Sequence, residues 1–177
     1  KSDGLRGYAK DFDDYILDYH CFYNACLQLD FTQNLPLFIM GHSMGGLIQT
    51  CAISESQFPQ VKAQILSSPL FGLNLAVPVW KESAASLANK IAPKITLGNE
   101  IKYDQLTRDL EVIKEYEKDS YRHNKISPSV FLGMKREMEK NPSRAQTITI
   151  PTFLNISSSD PIVSSSSAIQ FFESIAS

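Results

Sequence analysis

The stretch Leu35–Thr50, "LPLFIMGHSMGGLIQT", decides how this chain is read. Its first part, Leu35-Pro36-Leu37-Phe38-Ile39-Met40, is a short continuous apolar run, the pattern of a strand buried on both faces of a parallel sheet. Its last part, Leu47-Ile48 followed by Cys51-Ala52, repeats at helical spacing. Between them, Gly41-His42-Ser43-Met44-Gly45 fits G-x-S-x-G, the nucleophile elbow. Such a turn is so tight that the positions flanking the serine's neighbours are expected to lack side chains, and the serine oxygen stands exposed above the sheet. Ser43 is therefore a candidate nucleophile. The plainer alternative is a serine that caps a helix.

Outward from this stretch, the pattern alternates. "DFDDYILDYHCFYNACLQLD" places Phe12, Tyr15, Ile16, Tyr19, Phe22, Tyr23 and Cys26 at steps of three and four, which predicts an amphipathic helix with Asp11, Asp13 and Asp14 at its start. "VKAQILSSP" (61–69) reads as a second buried strand and "PTFLNIS" (151–157) as a third. Helix, strand, helix, strand predicts an α/β fold with a mostly parallel sheet flanked by helices. The interval between the second and third strands is far longer than the ~2–6 residues of an ordinary α/β connection. It holds three helical patterns, "VPVWKESAASLANKIAPK", "QLTRDLEVIKEYEKD" and "SPSVFLGMKREMEKNP", the last with Pro128 at its first position and Asn141-Pro142 as its stop. The expected organisation is a core in two parts, residues 1–69 and 147–177, around a helical cap insertion, 70–146. Leu73, Leu75, Val77, Val79 and Trp80 cluster early in that insertion. They either pack the cap onto the core or line an acyl-chain channel or lipid-touching surface.

Composition excludes several classes. The chain has 177 residues, 43% hydrophobic and 20% charged, within the ordinary globular range. A net charge of −2 gives no electrostatic case for nucleic acid or an anionic membrane surface. No apolar run approaches the ~20 residues of a membrane helix. Cys21, Cys26 and Cys51, odd in number and without metal-ligand spacing, read as free buried thiols, so neither a disulfide framework, a metal nor an organic cofactor is expected. Free thiols favour a reducing compartment, which suggests a cytoplasmic protein, and the Leu73–Trp80 cluster adds the alternative of one peripheral to a membrane.

A serine hydroxyl needs a base, usually a histidine oriented by a carboxylate. The elbow starts a helix whose first N–H groups face the reaction centre, so the N–H of Met44 is an expected oxyanion donor. The acid is expected in a loop after a late strand, and Asp160 in "SSSDPIV" stands there; a turn aspartate before proline is the alternative use. Histidine is scarce. His42 adjoins Ser43 on the turn and is expected to brace it, His20 sits at a core boundary, and His123 falls before Asp160, out of the usual order of serine, acid, histidine. The stretch Pro161–Ser177 is shorter than the roughly 25–30 residues a helix, a strand and two loops need. The base is thus expected beyond Ser177.

Four stretches, "SDGLRGYAKDFDDYILDYHCF", "PLFIMGHSMGG", "LTRDLEVIKEYEKDSYRHNKIS" and "SSSDPIV", together resemble the monoacylglycerol lipase and lysophospholipase branch of the α/β-hydrolases, grouped with the serine aminopeptidase S33 family. The resemblance implies Ser43 as nucleophile, Asp160 as acid and the Met44 N–H in the oxyanion hole. It implies a small lipid ester as substrate, with contact to a membrane surface. The family's H-G oxyanion loop would precede Lys1, so the chain is expected to be truncated at both ends and inactive alone. The usual glycine of the acid loop is Ser158 here. A peptidase or small-ester hydrolase of the same fold, and a non-catalytic hydrolase-like binding protein, stand as alternatives.

Overall fold

The computed structural model describes residues 3–32, 35–75, 77–99 and 101–175. In chain order these form α1 (Asp13–Leu27), β1 (Leu37–His42), α2 (Met44–Glu55), β2 (Val61–Ser67), α3 (Val79–Ile91), β3 (Leu97–Gly98), α4 (Leu110–Lys118), β4 (Lys125–Ile126), α5 (Pro128–Ala145), β5 (Thr152–Asn155) and α6 (Ser165–Glu173). The chain divides into two compact units, Asp13–Leu75 with Lys135–Ser177, and Lys1–Phe12 with Ala76–Met134.

The first of these units carries a parallel sheet in the order β1-β2-β5. Pairing runs from Leu37↔Val61 to His42↔Ser67 on one side of β2, and from Gln64↔Thr152 to Ser67↔Asn155 on the other. All three strands therefore end at one edge, from which the loops after β1 and β5 emerge. One face of the sheet carries Gln64 and Leu66, both fully buried, beside half-buried Ile39, Thr152 and Leu154, and α2 packs there. The other face carries Phe38 and Met40, both 66% exposed, and Phe153. The expectation that β1 is buried on both faces is thus not met among the described residues. Periodicity gave the strand, and a continuous apolar run cannot say which face is covered.

Helix α1 is narrower in contact than its spacing suggested. Ile16 and Tyr23 are buried, and Tyr23 packs on Phe58 with ring centroids 4.4 Å apart. Phe22 is 68% exposed, because neighbours on a helix point about 100° apart and only one of the pair 22–23 can face the core. Cys21 on the same helix is exposed as well, contrary to the reading of all three thiols as buried, while Cys51 is buried and all are free.

Helix α5 passes through Pro142 instead of stopping there. Proline costs a helix interior about 3 kcal/mol. Around it, Arg144 Nη1 donates to the Glu137 carbonyl (2.9 Å) and Ser143 Oγ to the Lys140 carbonyl (2.7 Å).

In the other unit, β3 and β4 form a short antiparallel pair. Phe12 is fully buried against Gly133, where any Cβ would come within 2.3 Å of the Phe12 Cβ. Ser129 Oγ donates to the Ala9 carbonyl (2.6 Å), and the Ser127 N–H to the Gly7 carbonyl (2.7 Å). Helix α4 starts on an Asp109 cap that accepts from the N–H of Glu111 (2.9 Å), and α3 buries none of its residues. No helix among the described residues is long and apolar enough to cross a membrane.

Candidate active site

Ser43 links the last residue of β1 to the first of α2, at φ 52° and ψ −125°. A side chain with a Cβ is disfavoured at positive φ, and such a conformation costs about 1–3 kcal/mol. The surroundings enforce it. The Ser43 N–H donates to the Ser67 carbonyl (3.0 Å), extending the sheet ladder one residue beyond β1. Its carbonyl accepts from the N–H groups of Gly46 (3.0 Å), Leu47 (3.3 Å) and Leu70 (3.0 Å).

Close approach of the chain to itself completes the turn. A Cβ on Gly41 would lie 2.6 Å from the Gly46 Cα, and one on Gly46 would lie 2.9 Å from the Pro69 Cβ. Gly45 differs: a Cβ there would meet nothing within 4 Å. The expectation that both glycines of G-x-S-x-G are sterically required therefore holds for Gly41 and moves from Gly45 to Gly46. The doubled glycine in the sequence was the available signal.

The Ser43 hydroxyl makes no capping bond to α2, so it does not do what a helix-capping serine does. The N–H of Met44, the first in the helix, has no backbone acceptor among the described residues, and the helix dipole adds partial positive charge at that point. His42 is exposed, and its Nδ1 lies 3.0 Å from the Ser67 carbonyl and 3.3 Å from Ser67 Oγ. It braces the elbow to β2.

Asp160 sits past the end of β5, on the same carboxyl edge as Ser43. Its Oδ1 accepts from the N–H groups of Ile162 (2.9 Å) and Val163 (2.9 Å), which is the work of a turn aspartate. Both bonds fall on one oxygen. Asn74, in the segment after β2, donates through Nδ2 to the carbonyls of Asp160 (2.7 Å) and Val163 (3.1 Å). The Ser164 N–H donates to the Gly72 carbonyl (2.9 Å), and Leu73 bridges to Val163. Asn74 thus positions the loop, a part the sequence did not disclose, because a single asparagine between strands carries no periodic signal.

The remaining histidines do other things. His20 stacks on Phe58 at 5.3 Å between centroids, at the core boundary. His123 is exposed, with Nδ1 accepting from the Lys125 N–H (3.2 Å). Among the described residues no group of three His, Cys, Asp or Glu could hold a metal ion.

The family profile described as "Serine aminopeptidase, S33" matches residues 1–177. The chain belongs to that family. It is 28% identical over 174 residues to phospholipase YtpA of Bacillus subtilis (strain 168), covering 97% of this chain and 65% of that protein. To the monoglyceride lipase of Rattus norvegicus it is 28% identical over 176 residues, covering 98% and 57% respectively. The crystal structure of Paleococcus ferrophilus monoacylglycerol lipase matches with a TM-score of 0.84 at 23% identity, over 99% of this chain and 65% of that one. The chain thus spans 65% or less of these relatives' length, and its fold is that of an α/β-hydrolase.

Proposed function

We propose that the protein to which this chain belongs is a serine hydrolase that cleaves carboxylic esters of monoacylglycerols or lysophospholipids through an acyl-enzyme at Ser43. The observation that carries this reading is the elbow itself. A serine is held at φ 52° by four backbone hydrogen bonds, with its hydroxyl unused as a cap. Stored strain of this kind clusters at functional sites.

In the proposed reaction Ser43 Oγ attacks the ester carbonyl while a histidine takes its proton, and the Met44 N–H stabilises the oxyanion. Asp160 orients the histidine through the oxygen that its own loop does not occupy. Collapse expels the alcohol, and water activated by the same histidine releases the fatty acid. His20, His42 and His123 are engaged elsewhere, so the base is proposed to come from the part of the family fold that this chain does not span. No cofactor enters.

The substrate class is supported by the relatives' names, a phospholipase and monoglyceride lipases. The insertion 70–146 is proposed as a cap over the core segments 1–69 and 147–177. Peripheral contact with a lipid surface is proposed for α3, whose Val79, Trp80, Leu87 and Ile91 are all exposed beside Lys90. Replacing Trp80 by alanine should weaken sedimentation of the full-length protein with phosphatidylcholine vesicles, and equal sedimentation would remove this element.

The central test uses the full-length protein and a fluorophosphonate probe. Wild type should label, and Ser43→Ala should abolish labelling and lower hydrolysis of a long-chain monoacylglycerol by about 10³-fold or more. Labelling that persists in the variant refutes Ser43 as nucleophile. Comparing a monoacylglycerol, a lysophospholipid and an aminoacyl amide then fixes the substrate class.

A further inference from the structure

A chain of side-chain hydrogen bonds crosses the core beneath α2. The Tyr19 hydroxyl of α1 donates to Gln49 Oε1 (3.3 Å), Gln49 Nε2 donates to Gln64 Oε1 (3.2 Å), and Gln64 Nε2 donates to Thr152 Oγ1 (2.9 Å). The Thr152 hydroxyl donates in turn to the Ile150 carbonyl (3.2 Å). Each amide turns its oxygen toward α1 and its nitrogen toward β5, so the chain has one direction and every link supports the next. Gln49 and Gln64 are both 0% exposed.

Apolar residues would fill this space without needing partners, since replacing both members of a buried hydrogen-bonded pair by apolar groups is close to neutral in stability. What amides add is geometry. Apolar contact lets a helix turn or slide by small amounts, whereas a hydrogen bond weakens steeply once out of line. The placement matters here. Gln49 lies on the helix that Ser43 leads into, about 8 Å along its axis from Met44 at 1.5 Å per residue. Thr152 opens the strand that leads to Asp160. Burial, with a smaller contribution from Cys26, pushes the Tyr19 hydroxyl up to about 12, so it remains a donor through neutral and mildly alkaline pH.

We infer that Gln49, Gln64 and Thr152 are positioning residues that lock α2 in rotation and axial register over β2 and β5, and so fix the elbow relative to the acid loop. The catalytic part of this inference rests on the proposed hydrolase activity. The register part does not.

The test exploits that difference. In the full-length protein the paired variant Gln49→Met/Gln64→Met keeps volume and removes the relay while stranding no amide. It should retain thermal stability within a few degrees, lower kcat on a short-chain soluble ester about tenfold to a hundredfold with KM little changed, and raise amide hydrogen exchange in peptides covering residues 43–50. If the paired variant folds poorly, Thr152→Val cuts the last link with little change of shape, with some loss of stability for the unpaired Gln64 Nε2, and Thr152→Ser should restore both readouts. Wild-type exchange over 43–50 in a variant of wild-type stability overturns the inference. An inactive wild-type protein would defeat the hydrolase reading instead, and the exchange measurement would still decide the relay.

Discussion

Glu137 offers the sharpest quantitative test of how this fold is held. It is 1% exposed on α5 and accepts from Arg136 Nε (2.5 Å), Lys140 Nζ (3.0 Å) and Arg144 Nη2, while Arg136 also pairs with Asp13 and Arg144 lies 3.7 Å from Glu55. Burial alone would raise the carboxyl; the bonds from Arg136, Lys140 and Arg144 outweigh it and hold the group at about 2, against an ordinary value of 4.5. At about 1.4 kcal/mol per pH unit, that difference corresponds to about 3 kcal/mol favouring the charged form in the folded state. Glu137→Gln removes the charge at almost constant shape and leaves buried Arg144 facing a neutral amide. It should therefore cost about 3 kcal/mol at pH 7, or roughly 6–12 °C in Tm for a chain of this size. The pH dependence follows in sign. A carboxyl whose folded pKa is depressed contributes fully above its unfolded value and loses that contribution as pH falls through the folded one. Urea unfolding of wild type and variant, repeated from pH 7 downward, should give curves whose separation closes between about pH 4.5 and pH 2, where the wild-type side chain becomes the neutral analogue of the variant. A separation below about 1 kcal/mol at pH 7, or one that stays constant down to pH 2.5, would refute the account of Glu137 as a net stabilising buried charge.

Three further outcomes are expected. Gly46→Ala should destabilise by about 1–3 kcal/mol, because its Cβ would press on Pro69 at 2.9 Å, while Gly45→Ala should be neutral or stabilise by up to about 1 kcal/mol; equal effects in denaturant titration would contradict the turn geometry. Burial, modulated by Arg144 and Glu137, pushes the Cys51 thiol up to about 12, so native-state alkylation at pH 8 should modify exposed Cys21 at least about a hundredfold faster than Cys51, and comparable rates would show the helix packing to be wrong. Asn74→Ala frees the acid loop of two carbonyl contacts and should lower kcat of the full-length protein about tenfold while leaving KM within twofold; an unchanged kcat would make Asn74 a mere loop tie.

Much of the parallel sheet was legible because strand, elbow and helix each leave a periodic mark, and "LPLFIMGHSMGGLIQT" carries all three in sequence. The shared edge of Ser43 and Asp160 followed from topology: in a parallel sheet every strand ends on the same side, so the loops that carry the two residues leave from one edge. What stayed hidden depends on a second surface. Neither the open face of Phe38 and Met40 nor the outward turn of Phe22 can be read from a pattern that records apolarity but not its partner. The helix through Pro142 was illegible for a related reason, since the contacts around it, from Arg144 and Ser143, come from residues after the proline that signals a stop.

Helix α2 brings these threads together. Gln49 and Cys51 lie about 200° apart on it, so the helix is gripped on opposite sides. On the sheet side the grip is the amide relay through Gln64 to Thr152. On the α5 side it is ionic through Glu55, which lies 3.7 Å from Arg144, beside a hydrogen bond from the neutral Cys51 thiol to Glu137 Oε2 (3.9 Å). A serine strained by about 1–3 kcal/mol would relax if its helix could tilt or turn, so the strain survives only between stiff supports. The two supports should fail differently. Losing the ionic grip removes energy from the whole fold, so Glu137→Gln should lower stability first and activity only in proportion to the protein unfolded. Losing the relay removes alignment at little energetic cost, so the paired glutamine variant should lose turnover while remaining folded. If both variants instead moved stability and kcat together, the helix would be held by its bulk packing alone, with no division of labour between its two sides.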